Sequence, residues 1–247
     1  GGVPVARLAV VCLGTILAVA ICLWLLRRYL ARDDAAFTSA FQGALRFNTY
    51  VAIAGAGALH GEAGMASAAV VIALLVPTVN LLSVACFIGV GALGRTSMAR
   101  SLFELLRNPL ILACIVGIAL NGLNIGLPGW SESLLGLLGR PALPIGLIAV
   151  GVALRPRHVW RGGRTLWLTS GVKLVVVPAL AMALAWAIGL DTVSRDVVLL
   201  FTGVSTATSA YILARQLGGD GELMAAAITL QTALAMLTLP LWLLLTG

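Results

Sequence analysis

Residues 203–217, Gly203 to Leu217, read GVSTATSAYILARQL, a run of serine and threonine set between strongly apolar stretches. In hydrocarbon an unpaired polar group costs several kcal/mol, ~4–8 on alkane scales. A hydroxyl cluster at that depth therefore either pairs with a neighbouring helix or lines a polar site. A second interruption of the same kind, Arg46-Phe47-Asn48-Thr49-Tyr50, lies in the first half of the chain.

The rest of the sequence sets both interruptions in a membrane. Of 247 residues, 60% are hydrophobic and 10% charged, and the mean hydropathy is +1.06. Soluble domains carry about 25% charged residues, so this composition predicts an all-α polytopic membrane protein. A β-barrel would read as short alternating segments instead. The net charge of +7 comes from fifteen Arg and one Lys. Positive loops on the cytoplasmic side account for it better than nucleic acid does, because no basic run is interleaved with aromatics. Cys12, Cys22, Cys86 and Cys114 sit in apolar runs without metal-ligand spacing, so no metal and no cofactor is expected. No hydrolase, kinase or dinucleotide-binding pattern occurs, and the chain is not expected to be an enzyme.

Eight apolar segments approach the ~20 residues needed to span a bilayer. They run roughly Ala6–Leu26, Ala36–Leu59, Met65–Leu93, Pro109–Leu127, Ser133–Leu154, Thr165–Leu190, Val197–Leu213 and Leu223–Leu245. Between the third and fourth, Ser97–Arg107 places Met98, Leu102, Leu105 and Leu106 on one helical face and Arg100, Glu104 and Arg107 on another, as an interfacial helix would. Alternate loops hold Arg27, Arg28 and Arg32, then Arg95, Arg100 and Arg107, then Arg155, Arg157, Arg161 and Arg164, then Arg215. The intervening loops hold Glu62, Glu132, Asp191 and Asp196. The positive-inside rule puts the basic set in the cytoplasm and the C-terminus outside, in a multi-pass protein of the inner (plasma) membrane.

A shift of 158 residues superposes the two halves. Gly61-Glu62 falls on Gly219-Asp220, Met65 on Leu223, and Asn48-Thr49 on Thr206-Ala207, so the polar interruptions coincide. The second copy starts near Asn108, which maps about 50 residues before Gly1, room for two further helices. The chain opens Gly-Gly, and its first apolar run has neither a cleavage site nor preceding basic residues of the signal-peptide kind. It is therefore expected to be truncated. Residues 1–95 would hold the last three helices of a first repeat, 96–107 an amphipathic linker, and 108–247 a complete second repeat. Two five-helix repeats are inverted relative to each other, because each has an odd number of spans. Inverted repeats with helices broken at the midplane are a transporter architecture.

Particular residues carry a resemblance: Leu106-Arg107-Asn108-Pro109-Leu110-Ile111, then Ala142-Leu143-Pro144-Ile145-Gly146-Leu147, then Lys173 with Pro178, then Ser209-Ala210-Tyr211-Ile212-Leu213-Ala214-Arg215-Gln216-Leu217-Gly218-Gly219-Asp220. The chain resembles the auxin efflux carrier family of membrane transporters, in particular its bacterial members, whose substrates are often malonate or other carboxylates. The resemblance implies ten helices in two inverted repeats, the fourth and ninth broken and crossing at the midplane beside a scaffold domain. It is also compatible with a homodimer. Many members have proline in both broken helices; by position Gly55 and Ser205 stand there in this chain and are the expected helix breaks.

Asn48, Thr49, Ser205, Thr206, Thr208 and Ser209 are the candidates to line the crossing, where half-helix N-termini attract anions. Interhelical packing by small polar residues is the plainer alternative. Arg46, Arg140 and Lys173 lie well inside apolar segments, where a charge costs ~2.5–3.5 kcal/mol on insertion scales. Three deep cations without a deep carboxylate point to an anion path. Arg46 and Arg140 are candidate substrate contacts, and Lys173 is as readily a support residue. The expected function is a secondary carrier of small organic anions. A bile-acid-type sodium symporter is the alternative and would need an acidic sodium cage; a receptor would need a signalling module.

Overall fold

The computed structural model describes residues 3–91 and 162–246 throughout, and part of the stretch from 112 to 159. The described residues are helical, without strands. The main elements are α1 (Val5–Leu25), α2 (Asp34–Leu45), α3 (Thr49–Gly89), α4 (Gly129–Gly139), α5 (Gly163–Gly171), α6 (Val177–Ile188), α7 (Thr192–Gly203), α8 (Ser209–Leu217) and α9 (Gly221–Thr246). A π-helical turn, Val172–Val176, joins α5 to α6. Among the described residues, four runs are long and apolar enough to cross a membrane: Val5–Leu25, Asp34–Gly89, Gly163–Ile188 and Gly221–Thr246. The amphipathic linker Ser97–Arg107 lies outside the described residues, as does much of the expected spans Pro109–Leu127 and Ser133–Leu154.

Two expected spans are not single helices. Ala36–Leu59 is divided between α2 and the start of α3, and Val197–Leu213 between α7 and α8. In both halves an aspartate sets the first turn. Asp33 accepts from the Ala36 N–H at 2.8 Å, and Asp191 from the Ser194 N–H at 3.0 Å, as helix N-caps do. These two caps are 158 residues apart, and α2 and α7, each 12 residues long, begin and end at the same spacing.

α3 is too long for one crossing and turns at Gly61, whose φ of 55° and ψ of −132° lie where side-chain-bearing residues are strained. The turn is sharp. Residues eight apart are about 12 Å apart along a straight helix, yet the Ala56 carbonyl abuts the space beside Gly64. Gly55, by contrast, is not a break but lies within the helix. A Cβ there would come 2.8 Å from Leu200 Cδ2, so this glycine admits α7 against α3.

Among the described residues, loop side chains form two separate groups. Arg32, Asp33, Gly162, Arg164, Asp220 and Glu222 border one polar cavity of about 400 Å³. At another place His60 Nε2 lies 2.7 Å from Asp196 Oδ2, and Arg7 donates to the Gly189 carbonyl at 3.1 Å. The first group joins three of the basic loops, and the second joins acidic ones. Many large apolar side chains remain exposed, including Val10, Ile21, Trp167, Met236 and Leu244. Such a surface suits lipid and not water.

Candidate functional site at the helix interruptions

The backbone leaves helical geometry at residues 46–48, between α2 and α3, and at 204–207, between α7 and α8. Each interruption frees N–H and C=O groups that must find partners away from water. They find one in each other, since the Asn48 N–H donates to the Ser205 carbonyl at 2.8 Å. Gln231 of α9, fully buried, supplies two more. Its Oε1 accepts from the Thr206 N–H at 2.9 Å, and its Nε2 donates to the Gly43 carbonyl at 3.1 Å. One side-chain amide thus ties both broken helices together. Phe47 and Phe201 pack edge to face beside the contact, with centroids 5.3 Å apart.

A cavity of about 510 Å³ opens beside the crossing. Its polar wall contains Arg46, Asn48, Thr49, Asn80, Thr208 and Ser209, and its apolar wall Ile72, Val76, Val79 and Ile212. Arg46 is buried and held by two bonds: Nη1 donates to Asn80 Oδ1 at 2.7 Å and Nη2 to Ser209 Oγ at 3.0 Å. Its Nε has no partner. Asn48 caps the first turn of α3, its Oδ1 accepting from the Val51 N–H at 3.3 Å, while its buried Nδ2 has no partner. The N-terminal ends of α3 and α8 both border this space, so two helix dipoles add positive potential to that of Arg46. Among the described residues the buried ionic side chains are Arg46 and Lys173, and no Asp or Glu is buried. The cavity offers donors and positive charge, the chemistry that holds an anion.

The structure therefore separates the residues singled out in the sequence. Arg46, Asn48, Thr49, Thr208 and Ser209 line one cavity. Ser205 and Thr206 do not line it; they form the crossing behind it. The Thr206 N–H is bound to Gln231, its hydroxyl faces the Gln42 carbonyl at 3.4 Å, and the Ser205 hydroxyl lies 3.0 Å from that of Thr232. Ser205 falls within the second interruption. In the first half the interruption is at 46–48 and Gly55 takes no part, because Asn48 supplies the cap that restarts the helix. Lys173 is fully buried in the π-helical turn, away from this cavity. Arg140 lies outside the described residues. Asn80 and Gln231 were not singled out in the sequence. Each is a lone amide in an apolar helix, which is the signal that marks them, since hydrocarbon tolerates such a group only with a partner.

Over residues 93–243, more than half of the chain, the sequence matches the family described as membrane transport protein, and the chain belongs to that family. An uncharacterized transporter of Methanothermobacter thermautotrophicus is 28% identical over 154 residues, which cover 62% of this chain and 49% of the relative. The chain thus spans about half the length of the curated relative it matches.

Proposed function

We propose that the protein is a secondary carrier of small organic anions that works by alternating access, with the carboxylate of its substrate held beside the crossing. The observation that carries this reading is a pair of unpartnered donors on two residues that line the cavity, Asn48 Nδ2 and Arg46 Nε, with no carboxylate buried among the described residues to balance the arginine. A carboxylate would fill both vacancies and gain from two helix N-termini. Malonate-like or auxin-like acids have the required chemistry. The recurrence of caps and interruptions at 158 residues, with turns at Gly61 and Gly218 leading to different loop groups, favours two inverted five-helix repeats in the whole protein. The arginines of the alternate loops favour their cytoplasmic placement in the inner membrane, with an outside C-terminus.

Uptake of a radiolabelled carboxylate panel into proteoliposomes tests the reading. Saturable uptake that Arg46→Gln weakens, in a protein that still inserts, is the expected result. No uptake of any carboxylate would remove it. Running the panel with and without a sodium gradient separates a sodium-independent carrier from a bile-acid-type symporter.

A further inference from the structure

Lys173 is unused by the proposed cavity, and its surroundings are unusual. Its side chain is 0% exposed, and Nζ has no hydrogen-bond partner. It sits in a π-helical turn, Val172–Val176, an irregularity that recurs at functional sites. One turn earlier, Thr169 and Ser170 fall on the same helix face, and both of their buried hydroxyls are also unpartnered. This face is pressed against the crossing, for a Cβ on Gly43 would meet Thr169 Cγ2 at 3.0 Å. Next to Gly43, Gln42 is fully buried with both amide atoms unpartnered. The π turn itself is anchored by Trp242, whose Nε1–H donates to the Leu174 carbonyl at 2.9 Å.

Four buried polar side chains of this region lack partners, one of them a lysine amine, and leaving each unpaired in a low-dielectric interior is costly. A buried charge without a counter-charge costs several kcal/mol. Gln231 is committed to Thr206 and Gly43, and no Asp or Glu is buried among the described residues. The donors available are a lysine amine, two hydroxyls and an amide, a set that binds a compact anion, which in turn would keep the amine protonated.

The geometry points to a second anion site, distinct from the carboxylate cavity, in which Lys173, Thr169 and Ser170, with Gln42 beside them, hold a halide-sized anion such as chloride against the crossing. The organic anion meets Arg46 and Asn48 on one side of the broken helices, and the inorganic anion neutralises Lys173 on another. Transport and stability then both depend on chloride. The site does not depend on which organic anion is carried.

The full-length protein in detergent provides the test, with sodium chloride exchanged for sodium gluconate at constant ionic strength. Wild type is expected to show a saturable rise in Tm with chloride, and Lys173→Met none. No rise in wild type, or the same rise in Lys173→Met, overturns the proposal. Should Lys173→Met fail to fold, the double variant Thr169→Val/Ser170→Ala replaces it. Its half-saturating chloride concentration is expected to rise roughly tenfold, the loss that follows removal of bonds to a charged group; an unchanged value overturns the site. Arg46→Gln is expected to keep the chloride response. A response lost with Arg46 and kept without Lys173 would place chloride in the carboxylate cavity and overturn the second site, leaving the carrier reading intact.

Discussion

At the scale of single residues, Asn48 and Thr206 show how two equivalent positions come to do different work. Under the 158-residue shift they coincide, and both look like ligands in the sequence. In the fold Asn48 lines the cavity and its Nδ2 has no partner, whereas the Thr206 N–H is bound to Gln231. Asn48→Ala should therefore weaken binding of the carried anion roughly ten- to a hundredfold, the ~1.5–3 kcal/mol of a bond to a charged group, as read by equilibrium binding. Thr206→Val should leave that affinity close to wild type, because its N–H remains. Gln231→Leu should act on stability. It strands the Thr206 N–H and the Gly43 carbonyl, each costing about 1–3 kcal/mol, so thermal unfolding in detergent should occur several degrees lower. A Gln231→Leu protein as stable as wild type would mean that the crossing is held by other bonds.

At the scale of elements, the interest lies in how α3 and α7 meet. Gly55 admits Leu200, so Gly55→Ala should overpack the contact at a cost of about 1–3 kcal/mol. Because the clash is with one flexible side chain, Leu200→Ala in the same protein should relieve part of it, a non-additivity that a double-mutant cycle measures. The Asp191 cap carries a pH dependence. Burial pushes the Asp191 carboxyl up, but hydrogen bonds from Ser194 and neighbouring backbone outweigh it and hold the group below its ordinary value. A depressed folded-state value means that the cap's contribution is present above the unfolded carboxylate range and lost as pH falls through the folded one. Protection of the amides in the first turn of α7, taken relative to their intrinsic exchange, should fall as acid protonates Asp191, and Asp191→Ala should show the low protection already at neutral pH.

At the scale of the whole molecule, the grouping of loops makes a topology that can be measured. Glu62 and Glu222 are both exposed and follow the turns of the two halves. Glu62 adjoins the His60–Asp196 contact, and Glu222 borders the cavity with Arg32 and Arg164. In a background without native cysteines, Glu62→Cys should react with an impermeant thiol reagent applied to intact cells. Glu222→Cys should react only after permeabilisation. Labelling of both from the same side would overturn the proposed inverted repeats, and reversed labelling the proposed membrane orientation.

The sequence alone determined the class of molecule, because composition and segment length follow directly from transfer free energies and need no partner to be known. It also located both interruptions, since a cluster such as Arg46-Phe47-Asn48 or Ser205-Thr206 is conspicuous in an apolar run. The 158-residue spacing of the two interruptions was legible for the same reason, whereas the N-caps Asp33 and Asp191 at that spacing came from the structure. Tertiary structure alone decided which polar atoms remain free. Gly55 resembled a break by position but serves contact with Leu200, and Ser205 and Thr206 resembled ligands but bind Asn48 and Gln231. Asn80 and Gln231, unremarkable as single amides, orient Arg46 and bind the two broken helices together. Hydrogen-bond satisfaction is a property of pairs far apart in the chain, and only the folded arrangement assigns each donor its acceptor or leaves it waiting for a ligand.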